Sequence, residues 1–546
     1  MSHSRRPVAL AVLVVAVVLA IALARPVETE LLRPIQGGAD WSDHLARLEA
    51  VWGLSNLESL GLREYIDQVD HQYPPMLRWC MGLVGAVVGH GAATIQRAMV
   101  LWLVLLALGS GLVGYQITRS RALGAAVAAG TASIPALGAV AVHYYYDLPM
   151  AAWLWLAAAA LLWGRRQAPV LGAVIAGCLF VAACLTKWSA LPVGAIILGG
   201  ALLVRLPQEM HAPRWRPRLQ AAAALAATSG LLLGAWRAVS TRSWEDMHAT
   251  TFHGDQQPWG TLGGRLELGP LWLWLPEPQR VLVYPLKLAA EVLSPLLAVA
   301  AALLLVRWMV ADRRGGAFIV LALGGQLAFL IVAVPAIDSR FLMPALPALI
   351  LACALGLAGL RPRTRTALGG GWLAVSLLVL VDVHHGVHGP AAGPWSLADD
   401  GAAMPIEGRG LSIESIENTT GWVRRDANWS SPVEGEPVLL PTGFLPEREA
   451  IWRRLALCDA DHLLATSRAA DGDGGLGTWL VYRNTLAAVQ GEPHFIDVQT
   501  SMDLASAPTQ SRALAISASP LRVPGWRLLA EEGTQFLSAT ADVHCR

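Results

Sequence analysis

Apolar and polar positions alternate in long blocks along this chain, not at the short periods of a soluble domain. Mostly apolar runs lie near 7–24, 94–117, 122–142, 148–164, 168–186, 188–204, 219–239, 284–306, 316–335, 341–360 and 367–385. A membrane-crossing helix needs about 20 such residues, so the pattern predicts an α-helical polytopic protein with about eleven transmembrane helices. Residues 76–92 are apolar as well, but that run is short and carries Arg78. It reads as a helix lying at the membrane interface.

The charges between the runs set an orientation. With the N-terminus inside, the inner segments hold sixteen arginines (Arg5, Arg6, Arg119, Arg121, Arg165, Arg166, Arg205, Arg214, Arg216, Arg218, Arg307, Arg313, Arg314, Arg361, Arg363 and Arg365) against two acids, Glu209 and Asp312. Basic residues collect on the cytoplasmic side of membrane proteins, so every loop agrees with this topology. A span at 76–92 would invert each later loop. Residues 8–24 follow Ser4-Arg5-Arg6 and end in Ala22-Leu23-Ala24, which also has the form of a cleavable signal peptide. The length of the apolar run favours a retained span, and the outer loops stay outside on either reading.

Composition agrees with a membrane protein. Hydrophobic residues make up 54% of the 546 and charged residues only 15%, where soluble domains carry about 25% charge. Disorder, collagen, coiled coil and a disulfide scaffold are excluded by the same figures. The net charge of +1 gives no bulk attraction to a polyanion, so no nucleic-acid partner is expected. Of 41 basic side chains only two are lysines, Lys187 and Lys287. The arginine excess reads as mutational bias, which singles out the two lysines.

Residues 1–385 form the predicted membrane module. Its outer segments are 26–92, with the acidic stretch 26–75 and its interfacial helices, and 240–283, rich in Trp, Gly and Pro. Residues 386–546 form a third outer segment, with 20 acids, 12 arginines and a net charge of −8. At this length it can bury its own core. Strand-like runs at 437–440 and 478–482 alternate with a helical stretch at 446–457, which predicts a soluble α/β outer domain. Cys458 and Cys545 both lie here, and a disulfide between them is open in an oxidising compartment. Asn418 and Asn428 begin Asn-X-Ser/Thr triplets, which chance also produces.

Candidate chemistry gathers at the outer ends of the spans, where polar residues are costly enough to need a reason. Asp40-Trp41-Ser42-Asp43-His44 opens an amphipathic helix just beyond the first span. Asp40 also suits a simple helix N-cap. Tyr73-Pro74-Pro75 stops the loop and starts the interfacial helix. His143-Tyr144-Tyr145-Tyr146-Asp147 stands at the outer end of the third span, suited to a sugar or a metal, or to an aromatic belt. Thr186-Lys187-Trp188 places a point charge at the outer surface, fit for a lipid phosphate or for snorkelling to headgroups. Asp338-Ser339-Arg340-Phe341-Leu342-Met343-Pro344 adds a second cation at a helix mouth, where a local pair with Asp338 is the plain alternative. Asp382-Val383-His384-His385-Gly386-Val387-His388 has metal-binding residue types but reads more readily as the interface end of the last span. Carboxylates and cations thus share one level, the pattern expected for transfer from a phosphate-linked lipid to an acceptor outside.

In order and topology these motifs resemble the membrane glycosyltransferases of the GT-C fold. The branch they resemble holds the protein O-mannosyltransferases, the lipid A aminoarabinose transferase and related bacterial enzymes of family 39. The resemblance rests on Asp40 with His44, Tyr73-Pro74-Pro75, Tyr146-Asp147-Leu148-Pro149, Thr186-Lys187-Trp188 and Arg340-Phe341-Leu342-Met343-Pro344, and it covers roughly 1–360. It implies a polyprenyl-phosphate sugar donor, inverting transfer to a lipid, glycan or protein hydroxyl, and a place in the bacterial inner membrane. Carried onto this chain, it makes Asp40 the general base, with Asp43 in reserve because Trp41 stands where many relatives have Glu. Lys187 and Arg340 become cations for the donor phosphate. His44, Tyr73, Tyr146 and Asp147 line the cavity, Asp147 with the option of a divalent metal ion; no cofactor is otherwise implied. The alternative from the residues alone is a lipid-linked-glycan flippase or transporter. Transporters often show related halves and broken mid-membrane helices, and no half-repeat is visible here.

Overall fold

The computed structural model describes residues 6–24, 74–88, 97–141, 146–206, 215–240, 265–268, 271–274, 284–285, 288–311, 314–334, 339–385, 429–430, 440–441, 458–459, 462–465, 497–500, 512–517, 526–532 and 535–545. The chain divides into two compact units. The first holds the helices that follow, apart from the C-terminal end of the second helix; the second holds that end and the strands of the tail.

All eleven apolar runs contain helix. In chain order the helices are α1 (Arg6–Leu23), α2 (Met76–Val88), α3 (Val100–Thr118), α4 (Arg121–Ala132), α5 (Pro135–Val140), α6 (Asp147–Gln167), α7 (Pro169–Cys184), α8 (Ala190–Leu203) and α9 (Trp215–Val239). They continue as α10 (Pro295–Ala311), α11 (Gly316–Ala333), α12 (Leu346–Ala358) and α13 (Pro362–His385). Among the described residues six helical stretches are long and apolar enough to cross a membrane, namely α3, α6, α9, α11, α13 and Phe341–Ala358, which is α12 with the turns before it; α1, α7, α8 and α10 are shorter apolar helices. The protein is a multi-pass α-helical membrane protein. α2, at 13 residues, reaches only about 20 Å and is too short to span. Its Leu83, Val87 and Val88 are exposed.

Prolines divide what the apolar pattern reads as single rods. The run 122–142 is two helices, α4 and α5, because Pro135 takes the first position of α5 and Ile134 before it is extended. The run 284–306 enters through a π turn at Leu288–Leu293, passes Ser294 at φ 80°, and becomes regular only at Pro295. α11 holds a π stretch at Val320–Gly325, ending on Gly324-Gly325. α12 is preceded by a 3₁₀ segment, Ser339–Ala345, that contains Pro344.

α6 is the central rod. It packs against α3, α7, α8 and the Ser339–Ala345 segment, and Trp155 in its middle is fully buried. Lipid is as apolar as the helix surfaces, so close approach decides this packing. A Cβ built on Gly172 of α7 would collide with Gly164 Cα of α6. Gly172→Val is therefore expected to cost at least the 1–3 kcal/mol typical of overpacking, read as a fall in the thermal midpoint in detergent; an unchanged midpoint would show that the two helices can separate freely.

The arginine-rich ends do more than orient the chain. Arg165 of α6 is buried and donates to Ala201 O and, at 3.0 Å, to Val204 O at the end of α8. Arg218 of α9 reaches Leu203 O and Val204 O. Arg166 donates to Gln116 O in the last turn of α3. Arg307 of α10 bridges Gly356 O (3.1 Å) and Gly359 O (2.7 Å) at the end of α12. Helix C-termini leave carbonyls without partners inside the helix, and a forked cation can take two at once. At these positions arginine has a physical use beyond mutational bias.

The tail contains a mixed five-stranded sheet. After the short strands β1 (Arg265–Leu268), β2 (Leu271–Trp274), β3 (Trp429–Ser430), β4 (Leu440–Pro441) and β5 (Cys458–Asp459), its strands are β6 (His462–Ala465), β7 (Asp497–Thr500), β8 (Ala513–Ser517), β9 (Trp526–Glu532) and β10 (Gln535–Thr540), in the order β7-β6-β8-β10-β9, and β11 (His544–Cys545) follows. β6 runs parallel to β7 and β8, and β10 runs antiparallel to β8 and β9. Leu514, Ala515, Leu537 and Ala539 are buried. Of the strands predicted from sequence, Leu440 falls in a short strand, Leu440–Pro441. Residues 437–439, 446–457 and 478–482 lie outside the described residues.

Candidate active site

The site forms where α6 begins. Pro149 in the first turn of α6 favours helix initiation there, because its missing N–H would have no partner anyway. Asp147 is the first residue of that helix and is buried. Forty residues on, α7 ends and the chain turns through Thr186 and Lys187. Thr186 Oγ1 donates to Ala182 O at 2.8 Å, and the amides of Thr186 and Lys187 both donate to Ala183 O. This turn aims Lys187 back at α6. Its Nζ lies 2.8 Å from Asp147 Oδ1, with both side chains about 5% exposed.

A third segment closes over the pair. The ring of Phe341 stands 5.0 Å from Lys187 Nζ, measured to its centroid, within the range at which an aromatic face attracts a cation. Two buried side chains hold that segment. Gln326 Nε2 of α11 donates to Phe341 O at 2.9 Å, and Trp155 Nε1 of α6 donates to Pro344 O at 2.8 Å. A fourth segment joins from α2, whose first amide, Met76 N, donates to Leu185 O at 2.8 Å. Met76 and Trp79 pack there with Val181, Leu185, Trp188, Leu233 and Trp236.

Three of the five motif segments singled out in the sequence therefore meet, through Asp147, Lys187 and Phe341; Met76, which follows the motif residue Pro75, bonds Leu185 O two residues before Lys187. Tyr146 is buried beside Asp147. Arg340 directly precedes Phe341 at the start of the 3₁₀ segment. Asp40, Asp43, His44 and Tyr73 lie outside the described residues.

The sequence treats Lys187 and Asp147 as separate groups, one for phosphate and one for the cavity. The structure makes them one buried, charge-compensated unit. That bears on the metal. Asp147 already accepts from a cation, and among the described residues no group of three His, Cys, Asp or Glu could hold an ion. Sequence reasoning passed over Gln326 and Trp155, and gave Phe341 and Arg78 no part in the site. A polar Gln326 inside an apolar span was a usable signal. Arg78, treated only as a reason against a span, is buried on α2, whose first turn is tied to the Lys187 turn.

No protein-family model and no curated protein matches the chain. Solved structures do. ArnT from Cupriavidus metallidurans in the apo state aligns with a TM-score of 0.52 at 13% identity, over 97% of each chain. The same protein bound to undecaprenyl phosphate aligns with a TM-score of 0.53 at 14% identity, over 97% of this chain and 98% of that one. At such identities the likeness establishes the fold: this chain has the GT-C architecture, tail included in the aligned length.

Proposed function

We propose that this GT-C chain is a glycosyltransferase that moves a sugar, with inversion, from a polyprenyl-phosphate donor to an acceptor hydroxyl on a lipid, glycan or protein. The observation that carries the reading is the convergence of the motif segments on the buried Lys187–Asp147 pair. The ArnT structure holding undecaprenyl phosphate supports the donor class. The charge distribution of the loops supports an N-terminus in the cytoplasm and a site and tail on the outer side of the membrane, which this reading takes as the bacterial inner membrane.

In this mechanism Asp40 takes the proton of the acceptor hydroxyl, directly or through one water. The hydroxyl oxygen bonds to the anomeric carbon as the bond from that carbon to the phosphate oxygen breaks. Negative charge then grows on the departing polyprenyl phosphate, and cations set in place beforehand stabilise it. An ammonium has three donors. Lys187 donates to Asp147 at 2.8 Å, and in this reading its positive charge serves the phosphate oxygens. Asp147 is a positioning residue that aims Lys187. Arg340, next to Phe341, is the second phosphate cation.

The test is a panel of radiolabelled polyprenyl-phosphate sugars, offered to purified protein in lipid together with a cell-envelope extract as acceptor. Release of free polyprenyl phosphate by wild type, and not by Asp40→Ala, is expected, and the active sugar identifies the donor. No release from any donor by folded protein would overturn the transferase reading in favour of lipid-linked-glycan transport.

A further inference from the structure

Two cysteines in the tail face each other across a strand pair. β5 (Cys458–Asp459) runs antiparallel to β11 (His544–Cys545), in a register that sets Cys545 opposite Cys458 and His544 opposite Asp459. Directly opposed residues of antiparallel strands have Cα atoms about 4.5 or 5.5 Å apart. Both values fall inside the range of roughly 4.4–6.8 Å that a disulfide bridges without moving the backbone. The other four cysteines lie in the helical unit, in α2 (Cys80), α7 (Cys178 and Cys184) and α12 (Cys353).

The position of the pair in the fold is equally specific. All strands of the five-stranded sheet, from His462 to Thr540, fall between Cys458 and Cys545. A ladder of two residues is far shorter than the five or six typical of strands and gains little by itself. A covalent tie at that point would close one long loop around the whole sheet. Closing a long loop removes more freedom from the unfolded chain than closing a short one.

We infer that Cys458 and Cys545 form a disulfide that fastens the two ends of the tail's sheet together. The two thiols lose two protons and two electrons as the sulfur–sulfur bond forms. A protein disulfide of the thiol–disulfide exchange class accepts them and becomes a dithiol. The inference rests on the outward placement of the tail proposed above, since such oxidants act outside the reducing cytoplasm. It does not depend on transferase activity.

The experiment uses the full chain in its own membrane. Intact cells are treated with a permeant maleimide, the protein is denatured without reductant, and peptides are mapped by mass. A Cys458 peptide linked to a Cys545 peptide is expected, with maleimide confined to the four other cysteines. Maleimide on both tail cysteines, or a link from either to a different cysteine, overturns the inference. A reporter cysteine at exposed Leu528, in a Cys458→Ser/Cys545→Ser background, separates two failures. With both tail thiols alkylated in wild type, labelling of Leu528→Cys by an impermeant maleimide shows an outward tail without the bond. No labelling shows that the outward placement itself has failed. Where the bond is present, reduction is expected to speed hydrogen exchange in β6–β10 of wild type and to leave the double-serine variant unchanged.

Discussion

Alanine at Asp40 is expected to leave the protein folded in the membrane and to lower sugar transfer by roughly 10²–10⁴-fold, the usual contribution of a positioned general base. The loss should appear in kcat more than in donor KM, because the carboxylate meets the acceptor proton and not the donor phosphate. Asp43→Ala is the internal control, since the two stand three residues apart in one loop. Wild-type turnover in Asp40→Ala with collapse in Asp43→Ala would move the base to Asp43. Wild-type turnover in both would end the assignment of a base in this loop.

The second large effect belongs to the pair. Lys187→Ala leaves Asp147 buried without its ammonium, and Asp147→Ala leaves Lys187 buried without its carboxylate. Removing one partner of a buried ion pair costs about 3–5 kcal/mol, because the remaining charge stays desolvated. Each single variant is therefore expected to melt well below wild type in detergent. The double variant should recover part of the loss, since no lone charge remains. A double-mutant cycle in thermal stability measures that recovery. Additive losses would show that the two charges do not act as a unit. Donor binding separates the functional side: the double variant should bind donor weakly even where its fold is restored, because one phosphate cation is gone. Full donor affinity in a folded double variant would remove Lys187 from the site.

The spans were legible because two independent signals agree, apolar length and the one-sided distribution of arginine. Their internal shape was not. Apolar length does not distinguish a straight rod from one interrupted at Pro135, at Ser294 or in the Val320–Gly325 π stretch. The motif segments were legible as polar residues at one membrane level. Their pairing was hidden, because nothing local to Lys187 points to a carboxylate forty residues earlier; only the packing of α7 against α6 decides it. Trp155 was hidden for the opposite reason. It reads as one more apolar residue of a span, yet its indole N–H fixes the carbonyl of Pro344. The tail carried the weakest signal, since its described strands have two to seven residues and parallel partners distant in sequence.

The arginine forks carry a consequence for how the chain is assembled during synthesis. Arg166 and Arg218 reach back to helices already made, α3 and α8, whereas Arg165 and Arg307 cap helices still to come, α8 and α12. A backward fork can close as soon as its own helix enters the bilayer. A forward fork must wait, its guanidinium held in headgroup water, until the later helix arrives. The two forward forks therefore close only after α8 and α12 have been made.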